Sequence, residues 1–271
     1  MSVVDVVAVA RAPRLEGPTG RSLRIVERNV RAYRRYWLAL VTGFAEPILL
    51  LLSVGLGVGE LVGKLPGPGG KPIPYDQFVA PAMLANAAMN GAIFDTTYNF
   101  FSKLKYGKTY DGMLATPLDA HDIARGEVTW ALARGGVYAI GFLLVMVAFG
   151  LVASPWGVLM VPVALLIGFA FAGIGLGATT YMRSFLDFDK VAMAIIPLFL
   201  FSATFFPLER YPDGLAWVVQ ATPLYQGVAL CRALTLGDVH PALLWHVVYL
   251  AALGYAGTRL ASRRITQLLQ P

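Results

Sequence analysis

A strongly polar stretch, residues 103–127, separates two long apolar segments of the chain. It contains three lysines, one arginine and four acidic residues, and the pair Thr116-Pro117 breaks its middle. Charged side chains at this density cannot lie in hydrocarbon, because each would lose its hydration. The stretch is therefore predicted to be a cytoplasmic loop between two membrane-spanning segments.

A short helix is predicted inside this loop. Thr109 can cap its first turn, and Pro117 ends it at Thr116, because the residue before a proline is disfavoured in helical conformation. A second helix start is predicted at Asp119 or Asp122, and it leads into the next apolar segment. The apolar face of the short helix is formed by Tyr110, Met113 and Leu114.

Composition is typical of an integral membrane protein. Hydrophobic residues make up 57% of the chain and charged residues 14%, against about 25% charged residues in soluble proteins. The single cysteine excludes an intramolecular disulfide, and three scattered histidines argue against a histidine-built metal site. Residues 102–109 end like a phosphate-binding P-loop, but they lack its first glycine and follow an apolar helix instead of a strand. We therefore expect any ATP to be bound by another chain.

Residues 22–37 are predicted to form an amphipathic helix that lies flat in the headgroup layer, and residues 1–21 a mobile cytoplasmic tail. A solvated surface helix is the alternative. The predicted apolar stripe consists of Leu23, Val26, Val30, Tyr33 and Trp37. The arginines on the opposite side are Arg24, Arg28, Arg31 and Arg35.

The rest of the chain predicts an all-α membrane domain, residues 38–264, with six transmembrane helices and a cytoplasmic tail at 265–271. The segment 207–240 is rich in proline, and its two apolar runs are too short to span a membrane. It is predicted to form two external re-entrant helices between the fifth and sixth spans. The spans are placed within 38–62, 78–101, 128–152, 158–182, 191–206 and 242–260.

Three charged residues fall inside predicted spans. Glu46 stays close to the surface if the first span begins at Pro47, where proline is tolerated in the first helical turn. Asp95 lies towards the cytoplasmic end of the second span. Arg134 can either extend to the cytoplasmic headgroups, which we favour, or pair with Asp95.

The basic residues fix the orientation. Most of the 22 lysines and arginines lie in the N-terminal region, the loop 103–127 with its flank, the connector 183–190 and the C-terminus. Six spans with both termini in the cytoplasm place all of these inside, as the positive-inside rule requires. The basic residues left outside are Lys64, Lys71, Arg210 and Arg232.

Three patches resemble the membrane subunits of ABC-2 type exporters, in particular the nodulation-factor and daunorubicin-resistance-like permeases. Residues 107–127, with Thr116-Pro117-Leu118 and Gly126-Glu127, resemble that family's coupling-helix loop. Residues 201–209 are similar to the end of its fifth helix, and residues 222–233 to its external re-entrant segment. The chain departs from the family pattern at Lys108, which interrupts a Gly-Thr pair, at Asp111, where glutamate is usual, and at Thr222, where asparagine is usual.

The resemblance implies a half-transporter in a bacterial cytoplasmic membrane. Two copies of the permease, or one copy and a close relative, would lie side by side among membrane lipids, each on a cytoplasmic ATPase that binds ATP and Mg²⁺. No cofactor and no nucleic acid are expected for this chain. The residues expected to contact the ATPase are Lys105, Lys108, Thr109, Tyr110, Asp111, Met113, Leu114, Thr116 and Pro117.

An amphipathic cargo, such as a drug, a glycolipid or a lipid-linked saccharide, is expected to pass through an apolar conduit that contains a few hydrogen-bonding side chains. Aromatic residues at helical spacing are also typical of a core or an interface belt, so both interpretations stay open. A proton-coupled secondary transporter using Asp95, or a membrane-embedded enzyme, are the alternative functions. The candidate path residues are Asn86, Asn90, Phe201, Phe205, Phe206 and Tyr225.

Overall fold

The computed structural model describes residues 18–34, 45, 47–67 and 70–269, and they are mostly helical. One small hairpin, formed by β1 (Lys64–Pro66) and β2 (Pro72–Pro74), pairs Leu65 with Ile73. The helices are α1 (Pro18–Arg34), α2 (Pro47–Val62), α3 (Tyr75–Phe94), α4 (Thr109–Leu114), α5 (Ala120–Ala148), α6 (Met160–Thr179), α7 (Phe188–Leu200), α8 (Asp213–Ala221), α9 (Pro223–Leu236) and α10 (Leu243–Leu269).

Helices α3 and α6 form the centre of the molecule. α3 packs against α5, α6 and α9, and it continues towards the loop through two π-helical segments, Asp95–Asn99 and Ser102–Tyr106. α6 packs most extensively against α10. Within the described ranges, two helical units are long and apolar enough to cross a membrane, namely Ala120–Ala148 and Pro155–Thr179. The count of six spans stays a prediction.

Local sequence signals set several helix ends. Asp119 caps α5 in a capping box, because its carboxylate accepts from Asp122 N at 2.7 Å while the Asp122 carboxylate accepts from Asp119 N at 3.3 Å. This confirms the predicted second helix start at Asp119. Thr222 Oγ1 accepts from Tyr225 N at 3.3 Å, and Pro223 occupies the first position of α9.

The predicted cap of the short loop helix is wrong. α4 begins at Thr109, but the capping position is held by Lys108, whose backbone is left-handed with φ 43°, and no side chain caps the helix. α4 ends at Leu114, two residues before the predicted end. Thr116 Oγ1 donates to the Met113 carbonyl at 2.5 Å, so the chain turns before Pro117.

The amphipathic helix buries a different face from the predicted one. α1 begins at Pro18, four residues early, and it packs on α5 through Ser22, Ile25 and Asn29. Leu23 and Val30, from the predicted apolar stripe, are 48% and 50% exposed. The buried face differs from the predicted one because α1 packs against α5, and the residues of α1 that face α5 are buried whether or not they are apolar. Arg35, Trp37 and Glu46 lie outside the described residues.

The fifth predicted span ends early, and its helix packs on the core only through a half-buried face. α7 ends at Leu200, and residues 201–206 are not helical, which corrects the predicted span to Phe206. Ala203 adopts φ 54°, and the hydroxyls of Ser202 and Thr204 lie 2.7 Å apart, so the chain bends here. No residue of α7 is buried.

An aromatic cluster holds the first turn of α7 to the end of α3. Phe185, in the turn before α7, stacks on Tyr106 with ring centroids 4.9 Å apart and meets Phe101 edge-on at 5.4 Å. Phe188 lies 5.4 Å from Phe101 and 5.6 Å from Tyr98. The loop end of α3 is therefore in contact with the start of α7.

Candidate functional site

Glu127 lies at the centre of a buried polar cluster that joins four helices. Its side chain is 3% exposed, and Lys103 Nζ lies 2.7 Å from its Oε2 atom. Asn29 donates from Nδ2 to Oε2 at 3.2 Å, and Tyr110 donates from its hydroxyl to Oε1 at 3.0 Å. Lys103 also donates to Asn29 Oδ1 at 3.2 Å. These four residues, here called the Glu127 network, tie α1, the end of α3, α4 and α5 together.

Tyr110 belongs to the protein's own core. It is fully buried, and its ring lies 4.9 Å from that of Phe100. Burial, together with the neighbouring Glu127 carboxylate, raises the pKa of Tyr110 well above its ordinary value, so the hydroxyl stays protonated as a donor. The expectation that Tyr110 packs in an ATPase groove is therefore wrong. Met113 and Leu114, expected there too, are half-buried and pack on the same core.

The outer surface of α4 and its flanks remains available for a partner. Thr109 is half-exposed, and Gly112 lies at the surface, where a β-carbon would meet no atom from other parts of the described chain within 4 Å. The exposed members of the predicted contact set are Lys105, Lys108, Asp111, Thr116 and Pro117.

A close backbone approach fixes α1 on α5. A β-carbon added at Gly126 would lie 2.7 Å from Ile25 Cβ, closer than real side-chain atoms come. Gly126 is therefore the residue that allows α1 to reach Glu127, one position further along α5. The sequence marked Gly126-Glu127 only through the family resemblance and offered no signal for their partners on α1.

A second buried ion pair joins α5 to the π-helical end of α3. Arg134 Nη2 lies 2.8 Å from Asp95 Oδ2, and the two side chains are 9% and 4% exposed. Arg134 therefore pairs with Asp95, and the favoured extension of Arg134 to the headgroups is wrong. The angle between Arg134 Nη2 and Asp95 Oδ2 is unfavourable for a hydrogen bond. Asp95 Oδ2 therefore takes part in the ion pair but accepts no hydrogen bond from the described residues.

Two further side chains complete this ion pair. Asn99 Nδ2 donates to Asp95 Oδ1 at 2.6 Å and to the Tyr33 hydroxyl at 3.1 Å. Arg134 Nη1 donates to the same hydroxyl at 2.8 Å. We call Tyr33, Asp95, Asn99 and Arg134 the Asp95 network; like the Glu127 network, it reaches from α1 across α3 to α5.

The structure separates the six candidate path residues. Asn86 and Asn90 line a cavity of about 860 Å³ between α2, α3, α5 and α7. Phe205 packs against Phe199 at 5.1 Å between ring centroids, and its carbonyl accepts from Tyr75 at 3.3 Å. The path residues that do not line this cavity are Phe201, Phe205, Phe206 and Tyr225.

Arg232, near the end of the third resembling patch, links α9 to the centre of the molecule. Its Nε atom donates to the Phe78 carbonyl at 3.2 Å, and its Nη2 atom to the Ala203 carbonyl at 2.9 Å. The guanidinium carbon also lies 3.7 Å from the centroid of the Phe78 ring. Arg232 therefore joins α9 to α3 and to the bend after α7, a role that the sequence did not predict.

Comparisons with known proteins agree with the resemblance. The sequence profile of a family described as "ABC-2 type transporter" matches residues 23–236. Nodulation protein J of Rhizobium leguminosarum bv. trifolii is 30% identical over 259 residues, which cover 93% of this chain and 96% of that protein. Nodulation protein J of Neorhizobium galegae is 29% identical over 251 residues, covering 89% of this chain and 92% of that protein.

Proposed function

Because the chain belongs to the ABC-2 type transporter family, we propose that it is the permease subunit that forms the cargo conduit of an ATP-driven exporter and is powered by a separate cytoplasmic ATPase. The family and its composition make the chain an integral membrane protein and a transport component of an ABC exporter, and not an enzyme. The finer proposal concerns how the ATPase drives it and what it carries.

The Glu127 network is the observation that carries the proposal. Tyr110 on α4 and Lys103 on α3 bond the same buried carboxylate on α5, and Asn29 adds α1. Charge-assisted hydrogen bonds are short and directional. If α4 is displaced while the bonds of the Glu127 network are kept, α3 and α5 must therefore move with it. A soluble motor pushing on α4 would act through this linkage on the membrane helices.

The exposed side of α4 is the proposed surface for the ATPase. Asp111 lies on this side, Lys105 and Lys108 lie in the segment just before α4, and α1 beside it exposes Arg28 and Arg31. Arg31 pairs with Glu27 at 2.5 Å on this surface, while Leu23 and Val30 offer an apolar stripe to the headgroup layer. We propose that α1 lies in the cytoplasmic interface, with its arginines beside the ATPase contact.

A second permease copy, or a close relative, is proposed to cover α7. α7 is thirteen residues long and strongly apolar; one of its faces, with Val191, Ile195 and Leu198, packs on the core, whereas the opposite face is exposed. Met193 and Ile196 are among its most exposed residues. An exposed apolar helix face of this kind is suited to a dimer interface within the membrane.

Replacing Gly112 with tryptophan should reduce copurification of the ATPase by about tenfold or more, because one bulky ring prevents close packing across a fitted interface. The change should not disturb the permease, since among the described residues no atom outside the glycine's own helical turns lies within 4 Å of a β-carbon added there. The measurement is the ratio of ATPase to permease after affinity purification of the tagged permease.

The matched control is Gly214→Trp. Gly214 is also exposed, and no atom from other parts of the described chain lies within 4 Å of an added β-carbon, but it lies in α8 on the proposed external side. We expect this variant to keep its ATPase. Equal ATPase recovery from the Gly112 variant and the control would contradict the proposed contact.

A further inference from the structure

The end of α10 that the positive-inside rule assigns to the cytoplasm carries arginines without acidic partners. Arg259 and Arg263 lie one helical turn apart on its exposed side, and Arg264 follows them. Residues 239–271 contain neither aspartate nor glutamate. Within the described part of the chain, no carboxylate lies at ion-pair distance from any of these arginines. Because like charges one turn apart repel each other, an anion from outside the subunit would stabilise this end of α10.

Arg264 joins this end of α10 to the end of α6. Its guanidinium carbon lies 4.4 Å from the centroid of the Tyr181 ring, and its Nη1 atom donates to Gln267 Oε1 at 3.3 Å. Its Nε atom is buried without a hydrogen-bond partner among the described residues, although the residue as a whole is half-exposed. A partly dehydrated guanidinium attracts an anion more strongly than a fully hydrated one does. The anion approaches the Nη end of the side chain, and the buried Nε atom takes no part.

The length of α10 places these arginines at the level of the lipid phosphates. α10 has 27 residues, and Arg263 lies about 30 Å from Leu243 at a rise of 1.5 Å per residue. The hydrocarbon core of a bilayer is also about 30 Å thick. If Leu243 lies at one boundary of the core, Arg263 and Arg264 lie at the other, beside the headgroups.

Exposed apolar side chains lead up to the arginines on the membrane side. Tyr255 is exposed one turn before Arg259, whose Nη1 atom donates to the tyrosine hydroxyl at 3.2 Å. Leu260 is exposed one turn before Arg264, and Tyr181 beside Arg264 is exposed as well. Aromatic and aliphatic residues followed by arginine at helical spacing are typical of a surface that passes from acyl chains to phosphates. A phospholipid therefore fits this surface better than a soluble protein does.

We propose that the end of α10, together with Tyr181 at the end of α6, binds an anionic phospholipid of the cytoplasmic leaflet. Its phosphate contacts Arg263 and Arg264, and its acyl chains lie against Leu260. The lipid is a resident component of the membrane and not cargo, because the surface lies on the outside of the subunit. The inference does not depend on the proposed ATPase contact of α4.

Native mass spectrometry of the detergent-solubilised permease tests this proposal. It compares dioleoylphosphatidylglycerol, which carries one negative charge, with dioleoylphosphatidylcholine, which has no net charge. We expect phosphatidylglycerol to bind at lower concentration. Glycerophosphoglycerol, the same headgroup without acyl chains, should compete weakly, which separates a lipid site from a site for a free phosphodiester. Arg264→Gln should weaken phosphatidylglycerol binding about fivefold, the effect of one basic residue near an anionic surface.

Two paired variants keep the result interpretable. Arg259→Gln/Arg263→Gln changes only exposed residues, so this variant should fold even if Arg264→Gln does not. It should weaken phosphatidylglycerol binding about 25-fold and leave phosphatidylcholine binding unchanged. The matched control is Lys64→Gln/Arg210→Gln, which removes two exposed positive charges from β1 and from the turn before α8. It should bind phosphatidylglycerol as the parent protein does.

Three results would overturn the inference. These are equal binding of the two lipids by the parent protein, equal losses in the arginine pair and the control pair, and full competition by glycerophosphoglycerol. A contact with a soluble protein is the other interpretation of these arginines. Loss of the copurifying ATPase from Arg259→Gln/Arg263→Gln with unchanged phosphatidylglycerol binding would show that contact and would also overturn the inference.

Discussion

Replacing Glu127 with alanine should lower the free energy of unfolding by about 3 kcal/mol, the lower end of the cost of breaking a buried ion pair. The lower end applies because Lys103, the charge left behind, is 21% exposed and can recover part of its hydration. The variant also removes the acceptor of Asn29 and of the fully buried Tyr110 hydroxyl. The measurement is the denaturation midpoint in detergent micelles, converted with the slope of the transition.

The double variant Lys103→Met/Glu127→Leu is the control for this cost. It removes both charges together, so no buried ion is left unpaired, and it should be more stable than Glu127→Ala. We expect both variants to copurify with less ATPase than the parent protein, because both lack the Glu127 carboxylate that joins α4 to α5. A Glu127→Ala protein as stable as the parent would show that the network does not hold the loop.

Replacing Gly173 with leucine should prevent α6 and α10 from packing. Even a β-carbon there would lie 2.6 Å from the Gly254 carbonyl oxygen and 3.1 Å from the Thr258 amide nitrogen. These are backbone atoms, which cannot move aside as a flexible side chain can, so the helices must separate. We expect Gly173→Ala to cost about 1–3 kcal/mol and Gly173→Leu to cost more.

Gly177 provides a matched control on the same helix. A β-carbon at Gly177 would meet the Gly257 carbonyl oxygen at 3.8 Å, an ordinary van der Waals distance. Gly177→Ala should therefore leave the thermal unfolding midpoint nearly unchanged, whereas Gly173→Ala lowers it. Equal midpoints for the two alanine variants would mean that the backbones of α6 and α10 at Gly173 are far enough apart to accommodate a β-carbon.

Local signals in the sequence predicted local features well. The start of α5 at Asp119 follows from a capping box within four residues, and two short helices between residues 207 and 240 follow from prolines beside short apolar runs. Both patterns depend on neighbours within one or two helical turns. Such interactions can be evaluated without knowing how the helices pack.

Features that depend on distant partners could not be predicted in the same way. Asn29 looks like a solvated position on α1, but it is buried where α1 packs on α5, and Glu127, 98 residues away, receives its hydrogen bond. Tyr110 looked available for a partner because neither Phe100 nor Glu127 could be placed beside it. Periodicity predicts that a helix has an apolar stripe, but the neighbouring helix decides which face is buried.

The Asp95–Arg134 pair shows how the choice between two open alternatives depends on geometry. The sequence named both residues and allowed both the pairing and the extension of Arg134 towards the headgroups. Pairing occurs because the π-helical end of α3 and the first half of α5 approach each other, and because Tyr33 on α1 accepts from Arg134. Neither the π-helical turn nor the position of Tyr33 has a clear signature in the sequence.

The central claim is that a separate motor protein acts on the cytoplasmic surface of α4. Photo-crosslinking in native membranes tests it most directly, with a benzoylphenylalanine residue placed at exposed Asp111 and, as the comparison, at exposed Asp238. We predict that position 111 captures a protein whose peptides include a P-loop, that ATP with vanadate changes the yield, and that position 238 captures none of it. A P-loop protein captured from position 238 and not from position 111 would contradict the claim.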